Sequence, residues 1–236
     1  MVSKRQFGSA AAFLFAAILG FGMPRGPATD DPLLSRTAPA FNSKNEAAIS
    51  AILRFGREAN LPLGLVLSKR LCSTSLNELR IDHSTVRAAL DQLSSALPSY
   101  NWSLEHGTVV LAPVDVPAAA AEFLALPLNP YRLPEDTLQA QAAYEWLNIR
   151  GSLRPNEGTA FSVLSSKASP KWPPLSLGPT TIKDALDRIV GRSPGGAWIL
   201  SPINDIGKAA DSRPFQLVDY SNPEVVVSPC GDPLGP

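Results

Sequence analysis

Apolar residues along this chain fall into alternating helical and strand rhythms, and the same succession of rhythms occurs twice. Ile49, Ile52, Leu53 and Gly56 recur at i, i+3, i+4 and i+7. That spacing predicts one face of a helix, capped by Ser43 or Asn45 and running to about Asn60, where Leu61-Pro62 stops it. Leu63 to Leu67 (LGLVL) is an apolar run of strand length, and Leu79 to Ile81 is the centre of a second strand. Val86, Ala89, Leu90, Leu93 and Leu97 form a second helical stripe, capped by Ser84 or Thr85 and closed by Pro98. Tyr100 to Glu105, a His106-Gly107 turn and Thr108 to Leu111 then predict a β-hairpin, with a short strand at Phe41 ahead of the whole succession.

The second occurrence lies 96 residues later and needs no gap. Leu79 to Leu104 reads LRIDHSTVRAALDQLSSALPSYNWSL, and Leu175 to Leu200 reads LSLGPTTIKDALDRIVGRSPGGAWIL. Thr85/Thr181, Ala89/Ala185, Leu90/Leu186, Asp91/Asp187, Pro98/Pro194 and Trp102/Trp198 are identical, and Val86/Ile182 and Arg87/Lys183 keep their character. A duplicated supersecondary unit accounts for this pattern, because the shared positions are those that a packed helix and its flanking strands need. The fold expected is therefore α+β: two tandem small modules, each with two helices packed on a small β-sheet, behind an N-terminal signal peptide.

Punctuation along the chain sets the boundaries. Residues 1–28 read as the signal peptide, 29–39 as a linker, 40–113 as the first module and 114–121 (VDVPAAAA) as a second linker. Residues 122–221 form the second module and 222–236 a Pro-rich tail. In the second module a strand is expected between Phe123 and Tyr131, and a helix from Pro134-Glu135 to about Ile149. An irregular stretch from Gly151 to Pro174 follows, and Phe215 to Val218 is expected to return as a partner strand.

The signal-peptide reading rests on Lys4 and Arg5 ahead of the uncharged stretch Phe7 to Gly22 (FGSAAAFLFAAILGFG), with cleavage after Gly22 or Ala28. Kept uncleaved, the same stretch would tether the chain to the inner membrane. With it removed, no membrane span is expected. The chain carries 21 basic and 21 acidic residues, so nothing resembles the basic footprint of a nucleic-acid binder. In an exported chain the two cysteines, Cys72 and Cys230, are able to form a disulfide that ties the tail to the first module.

The residues from Asn45 to Pro113 resemble a known family, the secretin and TonB N-terminal short domain. STVRAAL (Ser84 to Leu90) matches the start of its second helix, and HGTVVL (His106 to Leu111) matches its closing hairpin. A weaker echo, TTIKDALDRI followed by AWIL, lies in the second copy, within 122–221. The resemblance implies a small α+β interaction domain facing the bacterial periplasm, whose partner is an envelope protein. No outer-membrane barrel, plug or secretin ring segment accompanies it here.

Candidate chemistry is sparse. Asp82-His83, His106 and the many serines invite a hydrolase reading, but no G-x-S-x-G elbow is present, and the second copy has Gly178 and Pro179 in place of Asp82 and His83. No catalytic residue, cofactor-binding motif or metal-ligand spacing is identified. Trp102 and Trp198 recur at one equivalent position, either as aromatics that contact a ligand or as anchors of the hairpin over its helix. The expectation is an exported, non-enzymatic docking module of the bacterial cell envelope, periplasmic or secreted. The alternative is binding of envelope glycan or peptidoglycan through the repeated Trp surfaces.

Overall fold

In the computed structural model, the structure describes residues 31–82, 84–97, 99–128, 130–133, 137–138, 171–172, 175–191, 196–200 and 215–219. Residues from Pro32 onward belong to one compact unit. The segment read as a signal peptide, His83, Cys230, most of the helix expected from Pro134, and the tail lie outside the described residues.

Hydrophobic burial explains the architecture. The runs at Leu63–Val66 (β2), Thr108–Pro113 (β5) and Gly196–Leu200 (β12) are buried at every position. Strands with no polar alternation must be covered on both faces. They are, because they form the centre of one five-stranded sheet. Its order is β13 (Phe215–Asp219), β12, β2, β5 and β4 (Tyr100–Glu105). The three central strands run parallel, and the two outer strands run antiparallel to their neighbours.

Each copy of the repeat supplies cover to a different face. Leu63, Leu65, Val109, Leu111, Ala197 and Ile199 point into one core, built with the helices Ala48–Glu58 (α2) and Val86–Ala96 (α4). Val66, Val110, Ala112, Trp198 and Leu200 point into the other. There they meet Ala118–Leu124 (α5) and Ile182–Gly191 (α6). The two copies thus share one sheet, with helices on both of its faces, in place of the separate small sheet expected for each. A separate antiparallel pair, β1 (Phe41–Ala47) with β3 (Ser75–Ile81), flanks α2 and aligns Phe41 with Ile81. The short pair Tyr131–Leu133 (β7) with Leu175–Leu177 (β10) aligns Tyr131 with Leu177, the residue 96 positions after Ile81.

Local chemistry sets the ends of these elements. Thr85 caps α4, its hydroxyl accepting from the Ala88 N–H at 3.2 Å. Helix α2 ends where expected but starts later than a cap at Ser43 or Asn45 would place it. It begins at Ala48, without a side-chain cap, because the residues before it are drawn into β1. It ends in a left-handed Asn60 (φ 49°), with Leu61 N–H donating to Gly56 C=O and Asn60 N–H to Arg57 C=O. That paired closure satisfies carbonyls the helix end would leave bare. At the hairpin turn, His106 and Gly107 both have positive φ, as a two-residue turn between twisted strands requires.

Both segments read as linkers contain structure. Pro32–Ser35 (α1) is a helical turn with Leu34 buried, and the chain after it docks on α4: Val86 N–H donates to Arg36 C=O, and Ala38 N–H to Ser84 C=O. Ala118 to Leu124 form α5 and bury Ala120, Phe123 and Leu124. Composition mistook this alanine run for a spacer, although alanine is the strongest helix former. In the range from Phe123 to Tyr131 where a strand is expected, Phe123 and Leu124 end α5, a short strand forms at Pro127–Leu128 (β6), and β7 begins at Tyr131. Thr137–Leu138 (β8) pairs with Lys171–Trp172 (β9), so the helix expected from Pro134 does not include Thr137 and Leu138.

Candidate functional site

The repeated residues converge on one contact, made once on each face of the sheet. In the first copy, Trp102 on β4 donates its indole N–H to Asp91 Oδ1 on α4 at 2.9 Å. In the second, Trp198 on β12 donates to Asp187 Oδ1 on α6, also at 2.9 Å. The caps repeat as well: Asp184 N–H donates to Thr181 Oγ1 at 3.2 Å, the bond Ala88 makes with Thr85. One helix-to-strand clamp has therefore been built twice from the same residue types.

Surroundings make the two clamps different. Trp198 is 0 % exposed, and Asp187 is buried with it. Strand β2 provides the cover, since Trp198 aligns with Gly64 across the parallel pair. A Cβ on Gly64 would lie 2.3 Å from Trp198 Cζ2, so only glycine allows the ring to lie across that strand. The first copy's hairpin closes the other side. Thr108 Oγ1 donates to the Asp187 carbonyl at 2.7 Å, and a Cβ on Gly191 would come within 2.7 Å of the His106 carbonyl.

A charged chain runs through this junction. Lys183 Nζ donates to Asp187 Oδ2 at 2.8 Å and also bonds Glu105 Oε2, while Ser103 Oγ donates to Glu105 Oε1 at 2.9 Å. Burial pushes the Asp187 carboxyl above its ordinary value, and the charge and hydrogen bond of Lys183 do not cancel that push. Burial also works against the Lys183 ammonium, but the two carboxylates outweigh it and hold its pKa above the ordinary lysine value. For Glu105 burial is outweighed by the hydrogen bond and charge of Lys183, so its carboxyl stays below the usual range. Removing one member of such a chain leaves a buried charge unpaired.

The first copy's clamp is more open. Asp91 is exposed and Trp102 half-buried, with the Arg87 guanidinium 5.9 Å from the indole centroid. Strand β4 is the last strand of the sheet among the described residues, so the lane that β2 occupies beside β12 has no described counterpart beside β4. The two indoles are thus not a paired exposed surface. Trp198 anchors packing and is wholly buried, whereas Trp102 is half-buried.

The remaining sequence candidates do not assemble. Asp82 is exposed and engaged by Arg80 at 2.5 Å, His106 sits in the exposed hairpin turn, and His83 lies outside the described residues. Among the described residues no cluster of His, Cys, Asp or Glu is arranged to hold a metal, and no helix is long and apolar enough to cross a membrane. Cys72, at the end of the short helix Lys69–Cys72 (α3), is not a free thiol, while Cys230 lies outside the described residues. The i, i+4 spacing of Arg87 with Asp91 and of Lys183 with Asp187 reads in the sequence as ion pairs on a solvated helix face; Lys183 and Asp187 do pair, but Asp187 is buried, because the first copy's hairpin and β12 cover that face. What sequence reasoning missed is the part of Glu105 in this chain and the role of Gly64. A glycine inside LGLVL was the available signal, because a glycine within a strand marks close approach by another group. Compared with known protein families, with curated proteins and with solved structures, the chain matches none.

Proposed function

We propose that this chain is an exported, non-enzymatic docking protein of the bacterial cell envelope, made of two tandem copies of a module like the secretin and TonB N-terminal short domain. The observation that carries the reading is the twice-built clamp: Thr85, Asp91 and Trp102 make the same hydrogen bonds as Thr181, Asp187 and Trp198. The polar residues of the clamps, Thr85, Asp91, Thr181 and Asp187, serve as helix caps and as acceptors for the indole N–H groups of their own copy. Function then resides in the outer surface, where β4, a sheet edge among the described residues, is a natural seat for an extended partner segment. A glycan reading would need both indoles presented together, and Trp198 has no exposed surface to offer.

Export and docking are tested together in the living bacterium. Photo-reactive residues placed at exposed positions on several surfaces, such as Glu58, Glu78 and Gln92, should yield discrete adducts with an envelope protein, in a chain recovered from the periplasm or medium with its first residues removed. Retention of the full-length chain in the cytoplasm, or the absence of any discrete adduct from every position, would overturn the proposal.

A further inference from the structure

The partly exposed clamp makes the same helix-to-strand bond as the buried one, but among the described residues no strand lies beside it. At Trp198 the neighbouring strand is β2, lying parallel to β12 with Leu63, Gly64, Leu65 and Val66 aligned to Ala197, Trp198, Ile199 and Leu200. Trp102 is held by the same bond to its helix, at the same distance, on the strand that ends the sheet among the described residues. A hydrogen bond of that kind fixes the ring before anything arrives, so an incoming segment need not order it.

We propose that β4 receives an extended segment of a partner protein, running parallel to it, with a glycine set against the ring of Trp102 as Gly64 is set against Trp198. This deepens the docking reading and rests on it. The side chains of β4 also specify the residues around the glycine. Trp102 and Leu104 pack on the core beneath α4, so the position two beyond the glycine, where Val66 faces Leu200 in the internal example, calls for an aliphatic residue. Asn101 and Ser103 replace Ala197 and Ile199, and Asn101 is exposed. The residues on either side of the glycine are therefore polar where β2 has leucine. A segment of the form polar–Gly–polar–aliphatic fits this edge, and an all-apolar strand such as β2 itself fits it worse.

The test uses the full mature chain and the peptide LPTGTVLS, blocked at both ends, which is the sequence of residues 61–68 with Leu63→Thr and Leu65→Thr. Saturable binding with a Kd of about 1 mM or tighter is expected, together with slowed amide exchange confined to residues 99–105. Replacing the peptide's glycine by valine should weaken binding at least about tenfold, the equivalent of about 1.4 kcal/mol. Asp91→Ala, which releases the exposed end of the clamp without opening the core, should weaken it in the same direction. No saturable binding, protection elsewhere on the chain, or indifference to the glycine would each overturn the inference. Those results would leave the docking proposal standing if envelope adducts form from other surfaces.

Discussion

Gly64→Ala tests the shared sheet most directly, because it adds one methyl group at the junction of the two copies. That carbon would sit 2.3, 2.4 and 2.7 Å from Cζ2, Cε2 and Nε1 of Trp198. Non-bonded carbons rest at about 3.5–4.0 Å, so the indole has to withdraw by about 1 Å or more. Withdrawal stretches its 2.9 Å bond to Asp187 beyond hydrogen-bonding range and leaves a buried carboxylate short of a donor. Overpacking costs about 1–3 kcal/mol. Loss of a hydrogen bond to a charged group adds about 1.5–3 kcal/mol. Against this, replacing glycine restricts the unfolded chain and returns about 0.4–1 kcal/mol. The expected net loss is about 2–5 kcal/mol, read as a lower urea midpoint at constant slope. Trp198→Phe, which shortens the ring and removes its N–H, should absorb part of the clash. The double variant should therefore show a coupling energy of about 1 kcal/mol or more. A Gly64→Ala cost below about 0.5 kcal/mol, or equal costs in both backgrounds, would refute the packing argument.

Two further outcomes follow from the junction and from the cysteines. Glu105 has a folded pKa below its ordinary 4.5, so its contribution is present above that value and is lost as the pH falls through the lower folded value. Asp187 has a folded pKa above its ordinary 3.8, so its protonation on mild acidification adds stability instead. The melting temperature should therefore hold or rise on this account as the pH falls toward the ordinary carboxylate range, and fall below that range, with Glu105→Gln shrinking the fall. A loss between about pH 7 and 5 that Asp187→Asn abolishes would contradict the sign. For the exported chain, peptide mapping without reductant should find Cys72 joined to Cys230, across 230 − 72 = 158 positions. Closing a loop of that length stabilises by about 4–5 kcal/mol in the chain-entropy account. Both thiols alkylating under non-reducing denaturation would exclude the bond.

Local features were legible in the sequence wherever they depended on neighbours within a turn or two. The stripe Val86, Ala89, Leu90, Leu93 lies buried on α4, Thr85 is its cap, and His106-Gly107 is the hairpin turn. The relation between the copies was not legible, because pairing β2 with β12 joins residues that no local pattern links. LGLVL, TVVL and AWIL carry no polar alternation, and that was the trace in the sequence of strands covered on both sides. Proline and alanine content misled at α1 and α5, where a few buried side chains, Leu34, Ala120 and Phe123, outweigh composition. At the candidate site the equivalence of Trp102 and Trp198 could be read, while their different exposure could not. It depends on which copy supplies the neighbouring strand.

Strand β2 lies at the middle of the sheet, yet one of its two partners is made 197 − 63 = 134 positions later in the chain. Until that partner has emerged from the ribosome, Leu63 to Val66 have one lane of backbone amides and carbonyls with no companion, beside a glycine gap sized for an indole. Contacts this remote form slowly, because a long loop must close before they repay its entropy. The first half of the molecule therefore reaches its final sheet only after Trp198 and its strand have been made.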